Sequence, residues 1–306
     1  MKKFFSFLLI FMVLVIVGFV AMSIGGLVTL FNPPNMQASQ PSILYLELNG
    51  MITDGEPVLE FIHKYAANKE IKGILLRVDS PGGVVGASQE LYSELKRVRE
   101  ELQKPVVVSS GNLVASGAYY ASVAADRIFT NPGTLMGSIG VIIEFPYLQK
   151  LYDWAKLDFT VIKTGEFKDS GSPLRKMTEN EHQLFQNLID EVYVQFKDAV
   201  AEGRKLGRDV VDKYADGRVF NGASAVKLGF ADEIGTLEDA RRAIGEMTGL
   251  GKNPEMFKPK KSPETLLEFL QPMESKFNKL EQLTSKIKNL ELVGKPLYMM
   301  PQSLGL

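Results

Sequence analysis

Three glycine-marked segments carry the side chains that could do chemistry. In GNLVASGAYY at 111–120, Ser116 follows the apolar run PVVVSS and opens a stretch of small residues, so it sits where a strand turns into a helix. A serine at such a junction can face a cleft, with the next N–H, that of Gly117, aimed at a developing oxyanion. This is not a GxSxG elbow, and the position equally suits a serine that merely caps the helix. In DSPGG at 79–83, paired glycines after the GILLRV strand permit a tight turn and expose N–H groups, as an oxyanion hole requires. Strand-to-helix turns also use glycine for steric reasons alone. In GEFKDSGSPLR at 165–175, Lys168 would ordinarily be a solvated charge. It can act as a base only where burial lowers its pKa from about 10.4 by several units. A carboxylate aimed at the amine would oppose that shift, so Asp169 is expected to face elsewhere.

Missing residues narrow the chemistry. The two histidines, His63 in FIHKY and His182 in TENEHQ, fall in surface-helix patterns. A general base must sit beside its nucleophile in a cleft, so neither suits a Ser-His-Asp triad. No HExxH pattern, P-loop or dinucleotide fingerprint occurs, and neither a metal nor a cofactor is expected. The absence of cysteine removes disulfides, thiolate catalysis and thiolate zinc sites. With a formal charge of −1 over 306 residues, no basic excess exists to neutralise a phosphate backbone. Nucleic acid is therefore not an expected partner.

The elements that must position these segments alternate. Apolar runs at 43–48, 73–79 and 105–109 read as strands, and the patterns at 57–67 and 85–102 as helices. A small-residue helix is expected over about 116–125, with further strands near 127–130 and 139–144. This spacing predicts one α/β domain over 43–250, a largely parallel sheet covered by helices. Ahead of it, after Lys2 and Lys3, residues 4–31 contain no charge. That run is long enough to span a bilayer, and the two lysines favour a cytoplasmic N-terminus. Residues 1–31 thus read as a single transmembrane anchor and 32–42 (NPPNMQASQPS) as a linker. The domain is then expected outside the cytoplasm, at the cell membrane; a cleaved secretory signal would export it too. Residues 251–306 comprise a connector, an amphipathic helix over 264–291 and the tail PLYMMPQSLGL.

Six segments in order resemble the signal peptide peptidase A family in its short, single-repeat form: DSPGG at 79–83, ASGAYY at 115–120, TLMGSIGV at 134–141, GEFKDSGSPLR at 165–175, DGRVF at 216–220 and LGFADEIG at 228–235. These S49-type serine proteases have a Clp protease/crotonase-like fold. The resemblance implies a Ser/Lys dyad with Ser116 as nucleophile and Lys168 as base. Ser138 in MGSIG would orient the lysine, and Gly83 and Gly117 would supply oxyanion N–H groups. It further implies a homo-oligomeric ring in which serine and lysine come from adjacent subunits. The activity implied is that of an endopeptidase on cleaved signal peptides and other extended apolar peptides. Ala118 stands where many relatives have glycine, a change that a helix tolerates.

Two other readings stay open: a thioester-acting enzyme of the same fold, and a catalytically silent membrane-tethered binding ring. The tail is apolar at PLYMM and extended-prone after Pro296. It resembles a substrate, and is expected to occupy a neighbour's cleft or to be trimmed there.

Overall fold

The structure, a computed structural model, describes residues 38–259 and the backbone of 297–299. The chain divides into two compact units, 1–37 with 259–282 and 38–258 with 283–306, and every element below belongs to the second. The expected anchor at 1–31 and amphipathic helix at 264–291 lie outside the described residues. Among those described, no helix is long and apolar enough to cross a membrane.

Runs of Ile, Leu and Val build the centre. Strands β1 (Ser42–Asn49), β2 (Ile71–Ser80) and β4 (Val106–Ala115) lie parallel, β2 in the middle. A short β3 (Gly82–Val84) follows β2 but stands outside this sheet. The sheet is extended by β5 (Arg127–Thr130), β6 (Leu135–Gly137), β7 (Val219–Asn221), β8 (Glu233–Ile234) and β9 (Met256–Phe257). Its order is β7-β6-β4-β2-β1-β9, with β5 and β8 branching from β4. Strand β4 forks: Val107–Ser109 pair with β5, and Leu113–Ala115 pair with β6.

Both faces are covered, as a parallel sheet requires. Alternate residues Leu44, Leu46, Leu76, Val78, Val106 and Val108 enter the larger core, and Ile43, Tyr45, Leu75 and Val107 the smaller. Each fully buried aliphatic side chain contributes roughly 1.5–3 kcal/mol. Helices α1 (Glu56–Tyr65), α2 (Val85–Glu100) and α3 (Gly117–Ser122) cover the first face. The second face packs on Ala240, Ala243 and Ile244, from a helix over Leu237–Met247. Pro57 opens α1, where its missing N–H costs nothing, and Val58, Leu59, Ile62 and Tyr65 form the buried stripe.

The strand expected at 139–144 forms four or more residues earlier, as β6. Gly137 at φ 97° and Ser138 at φ 50° turn the chain out of extended geometry, and Ile139 then enters the core without lengthening the sheet. From there to residue 175 the chain makes an arm with one short helix, α4 (Gln149–Trp154), and a 3-10 turn at Glu166–Asp169. Its base is closed by Leu148 N–H donating to Pro173 O at 2.8 Å.

The long helix α5 (Glu179–Arg204) follows, started by a reciprocal capping box between Thr178 and Glu181. Apart from Glu181, its buried residues (Phe196, Ala199 and Val200) lie in the second half. The first half carries the arm instead, where Phe145 packs on Phe185 with centroids 4.5 Å apart. Two short helices, α6 (Arg208–Tyr214) and α7 (Gly222–Leu228), and α8 (Leu237–Met247) complete the unit.

Candidate active site

Ser116 is the residue between β4 and α3. Its backbone is at φ 52°, ψ −120°, a region a non-glycine residue occupies only when its surroundings impose it. The surroundings are visible. Ser116 N–H donates to Gly137 O on β6 at 2.7 Å, and Ser116 O accepts from Tyr120 N at 2.8 Å, starting α3. The hydroxyl makes no cap bond. It is buried, with the residue 1 % exposed, and Oγ has no hydrogen-bond partner. A buried hydroxyl without a partner costs free energy, so helix capping does not account for this serine.

Three of the other expected residues gather around it. Gly117 begins α3, where the first N–H groups of a helix lack intrahelical acceptors. Ser138 follows directly on Gly137, is buried, and has its N–H held by Arg218 O at 2.8 Å. Gly83 sits on β3 beside Ile52, so close that a Cβ there would lie 1.9 Å from Ile52 O. Ile52 N–H donates to Gly82 O and Ile52 O accepts from Val84 N, at 2.9 and 2.8 Å. Strand alternation then turns the N–H and C=O of Gly83 to the opposite edge. On that edge lies β10 (Leu297–Met299), antiparallel, with Tyr298 opposite Gly83. The tail strand also lies against α2 and α3. Within this chain, the tail itself thus pairs with that edge.

Asp79, at the end of β2, accepts from Asn112 Nδ2 at 2.7 Å and Leu113 N at 3.2 Å. It thereby ties the DSPGG turn to the segment that ends at Ser116. Sequence reasoning had assigned Asp79 only to a motif; nothing local marked it as a brace between strands.

Lys168 is elsewhere. It lies on the 3-10 turn of the arm, exposed, and the chain does not bring it to Ser116, whose hydroxyl is unpartnered. Helix α5 gives the separation a scale. Phe196 packs on Tyr120 of α3 at 5.0 Å between centroids, whereas Glu181, beside the arm, is fifteen residues earlier. At 1.5 Å per residue that is about 22 Å along the helix.

The Asp169 carboxylate is taken up by two other cations. Lys163 Nζ donates to its Oδ1 at 2.5 Å, and Arg175 Nη2 and Nε donate to its two oxygens at 2.7 and 3.0 Å. Those bonds, Arg175 first, hold the Asp169 carboxyl well below the usual carboxylate range. Arg175 also grips Glu181, at 2.5 and 2.8 Å, and Glu181 is depressed likewise, by Arg175 first and then by the Thr178 N–H. This cluster was missed, although the capping pattern TENE at 178–181 was a signal for Glu181.

The arm exposes apolar side chains: Leu151, Trp154 at 81 %, Leu157, Phe159 and Ile162 at 95 %, with Leu184 and Leu188 on α5 nearby in sequence. So much exposed apolar surface on one segment marks an interaction face. A hollow of about 300 Å³ lies between Ile139–Val141, α5 at Gln186–Tyr193, and Asp216–Gly217. Among the described residues no group of three or more His, Cys, Asp or Glu could hold a metal ion.

The sheet thus holds a buried serine in a strained turn, directly before Gly117 at the start of α3. Residues 99–250 match the model of peptidase family S49. A Synechocystis protein named "Putative protease slr0021" is 36 % identical over 275 residues, covering 87 % of this chain and 98 % of its own. An Enterococcus faecium protein named "Putative signal peptide peptidase SppA" is 36 % identical over 66 % of this chain and 62 % of its own. Protease 4 of Haemophilus influenzae is 32 % identical over 69 % of this chain, but the match spans 34 % of the longer protein. The chain belongs to peptidase family S49, among the SppA-type proteases.

Proposed function

We propose that this chain is a membrane-anchored serine endopeptidase of Clp protease/crotonase-like fold, with Ser116 as nucleophile and Lys168 of a neighbouring copy as general base. The observation that carries it is the strained, buried and unpartnered Ser116. Its hydroxyl waits for a base that its own chain does not bring to it.

The arm supports the neighbour's role. Its exposed apolar face suits a second copy, and burial there would strip water from Lys168 and favour the neutral amine. Ser138, next to Gly137, would accept from that amine and orient it. In the reaction Ser116 Oγ attacks the peptide carbonyl carbon while Lys168 takes the hydroxyl proton. The oxyanion is held by the N–H groups of Gly83 and Gly117. Lysine then passes its proton to the leaving amine; in the second step Lys168 deprotonates the water that attacks the acyl carbon and returns that proton to Ser116 Oγ as the acyl group leaves.

The substrate is an extended, apolar peptide such as a cleaved signal peptide. The edge of β3 supports this, because an extended segment, β10, already adds to it as a strand. A run of apolar residues at 4–31 supports an anchor that keeps the domain at the membrane, outside the cytoplasm, near peptides left in the bilayer.

The test combines labelling and mixing. A fluorophosphonate probe should label the wild type and spare Ser116→Ala. Ser116→Ala and Lys168→Ala should each lose peptide cleavage, and their mixture should regain part of it. Labelling that survives Ser116→Ala, or cleavage that survives Lys168→Ala, would overturn the reading. A mixture that stays dead would overturn the shared dyad.

A further inference from the structure

We propose that Arg175, backed by Glu181, is a positioning residue for Lys168: it holds the Asp169 carboxylate away from the amine and fixes the turn that carries the base. This rests on the reading of Lys168 as the general base.

The geometry is a closed set of bonds. Asp169 is the residue after Lys168, and an unrestrained carboxylate there could fold back on the ammonium and hold its proton. Instead both oxygens are taken, Oδ1 by Lys163 and Arg175 and Oδ2 by Arg175 Nε. The guanidinium is itself fixed, because it also donates to Glu181, which is 1 % exposed, and to the carbonyls of Lys176 and Asp169. Glu181 is completed by Ser170 Oγ at 3.0 Å and Thr178 N at 2.8 Å, which root the set in the first turn of α5. A planar fork that bridges two carboxylates is a task a lysine at 175 could not reproduce.

The charged groups bonded around the turn are Lys163, Glu166 and Asp169 on its own segment, Arg175 across the loop, and Glu181 from α5. Glu166 accepts from Asn180 Nδ2 at 3.1 Å, so each of the three carboxylates is bonded to a partner other than Lys168. These three carboxylates thus serve the structure of the turn without acting as a counter-ion to Lys168.

The experiment is the pH dependence of kcat/KM on an apolar chromogenic peptide, using the full chain in vesicles. The acidic limb of that profile reports the base in the free enzyme. In Arg175→Gln the limb should move to higher pH by about one to two units, a roughly 10- to 100-fold loss on the acidic side. Adding Asp169→Asn to that variant should return the limb toward the wild-type position. A merely structural Arg175 would instead lower the rate at every pH and leave the limb in place, and that result overturns the proposal. Should Arg175→Gln fail to fold, Arg175→Lys reads the same limb; a smaller upward move supports the proposal and none overturns it. Lys168→Ala, run alongside, separates the two levels: if it retains activity the base assignment fails, whereas an inactive Lys168→Ala with an unmoved Arg175→Gln limb rejects the positioning role alone.

Discussion

Ser116 and Gly137 are joined by a 2.7 Å bond from the serine N–H to the glycine carbonyl, and the residue after Gly137, Ser138, shares the positive φ of Ser116. The proposed nucleophile and its expected lysine-orienting partner are therefore two ends of one strained crossing between β4 and β6. Strain at one end is held by the other.

Gly137 should consequently be irreplaceable. It sits at φ 97°, and a Cβ would lie 2.7 Å from the Phe220 ring. Gly137→Ala is expected to cost about 1–3 kcal/mol in urea unfolding. It should also slow fluorophosphonate labelling of Ser116 at least roughly tenfold, since the carbonyl that fixes the serine moves. Labelling at the wild-type rate would disprove the coupling.

Gly83→Ala tests the oxyanion edge. The added methyl would meet Ile52 O at 1.9 Å, so β3 must shift while the sheet behind it is untouched. Losing one oxyanion donor costs about 10²–10³ in kcat. We expect that loss with an unaltered far-ultraviolet circular dichroism spectrum; a kcat within threefold of wild type would remove Gly83 from the site.

The tail and the substrate should compete. Tyr298 lies opposite Gly83, and Tyr298→Pro removes a backbone donor that a paired strand needs. The variant, and deletion of 297–306, should lower KM for short peptides with little change in kcat. Equal KM in all three proteins would mean that the tail does not occupy this edge in solution.

Tyr119 anchors the serine's helix from behind, donating from its hydroxyl to Phe230 O at 2.7 Å in a fully buried position. Burial pushes its pKa well above the ordinary phenol value, so it remains a donor throughout the neutral range. Tyr119→Phe should cost roughly 1–3 kcal/mol, because Phe230 O is left unsatisfied. Calorimetry at pH 7 and 9 should give the same loss.

Acid should loosen the arm first. Asp169 and Glu181 both have depressed pKa values in the folded chain, so their contribution is present above the ordinary carboxylate range and is lost as pH falls below about 4. Trp154, the only tryptophan, lies on the arm. Its emission should change in acid before the circular dichroism of the sheet does; coincident transitions would contradict this.

Much of the sheet was legible because β1, β2 and β4 are continuous apolar runs bounded by glycine, proline or polar residues, and such runs have few other uses. The site was legible as segments, but not as geometry. The backbone of Ser116 is set by Gly137, twenty-one residues later, and no local pattern encodes a bond across strands. The strand after Thr134 was misplaced for a related reason: Ile139 and Val141 look like strand residues, yet the positive φ at Gly137 and Ser138 ends the strand before them. Arg175, Asp169 and Glu181 read as ordinary surface charges, and only folding brings the three into one cluster.

Helix α5 finally sets a length scale. It is a rod of 26 residues, about 39 Å, with one end against the serine's helix and the other rooted in the loop that bears the lysine. If one copy's lysine serves the next copy's serine, this rod is a ruler for the spacing between copies. Inserting two turns would then shift that spacing before it changed any residue of the chemistry.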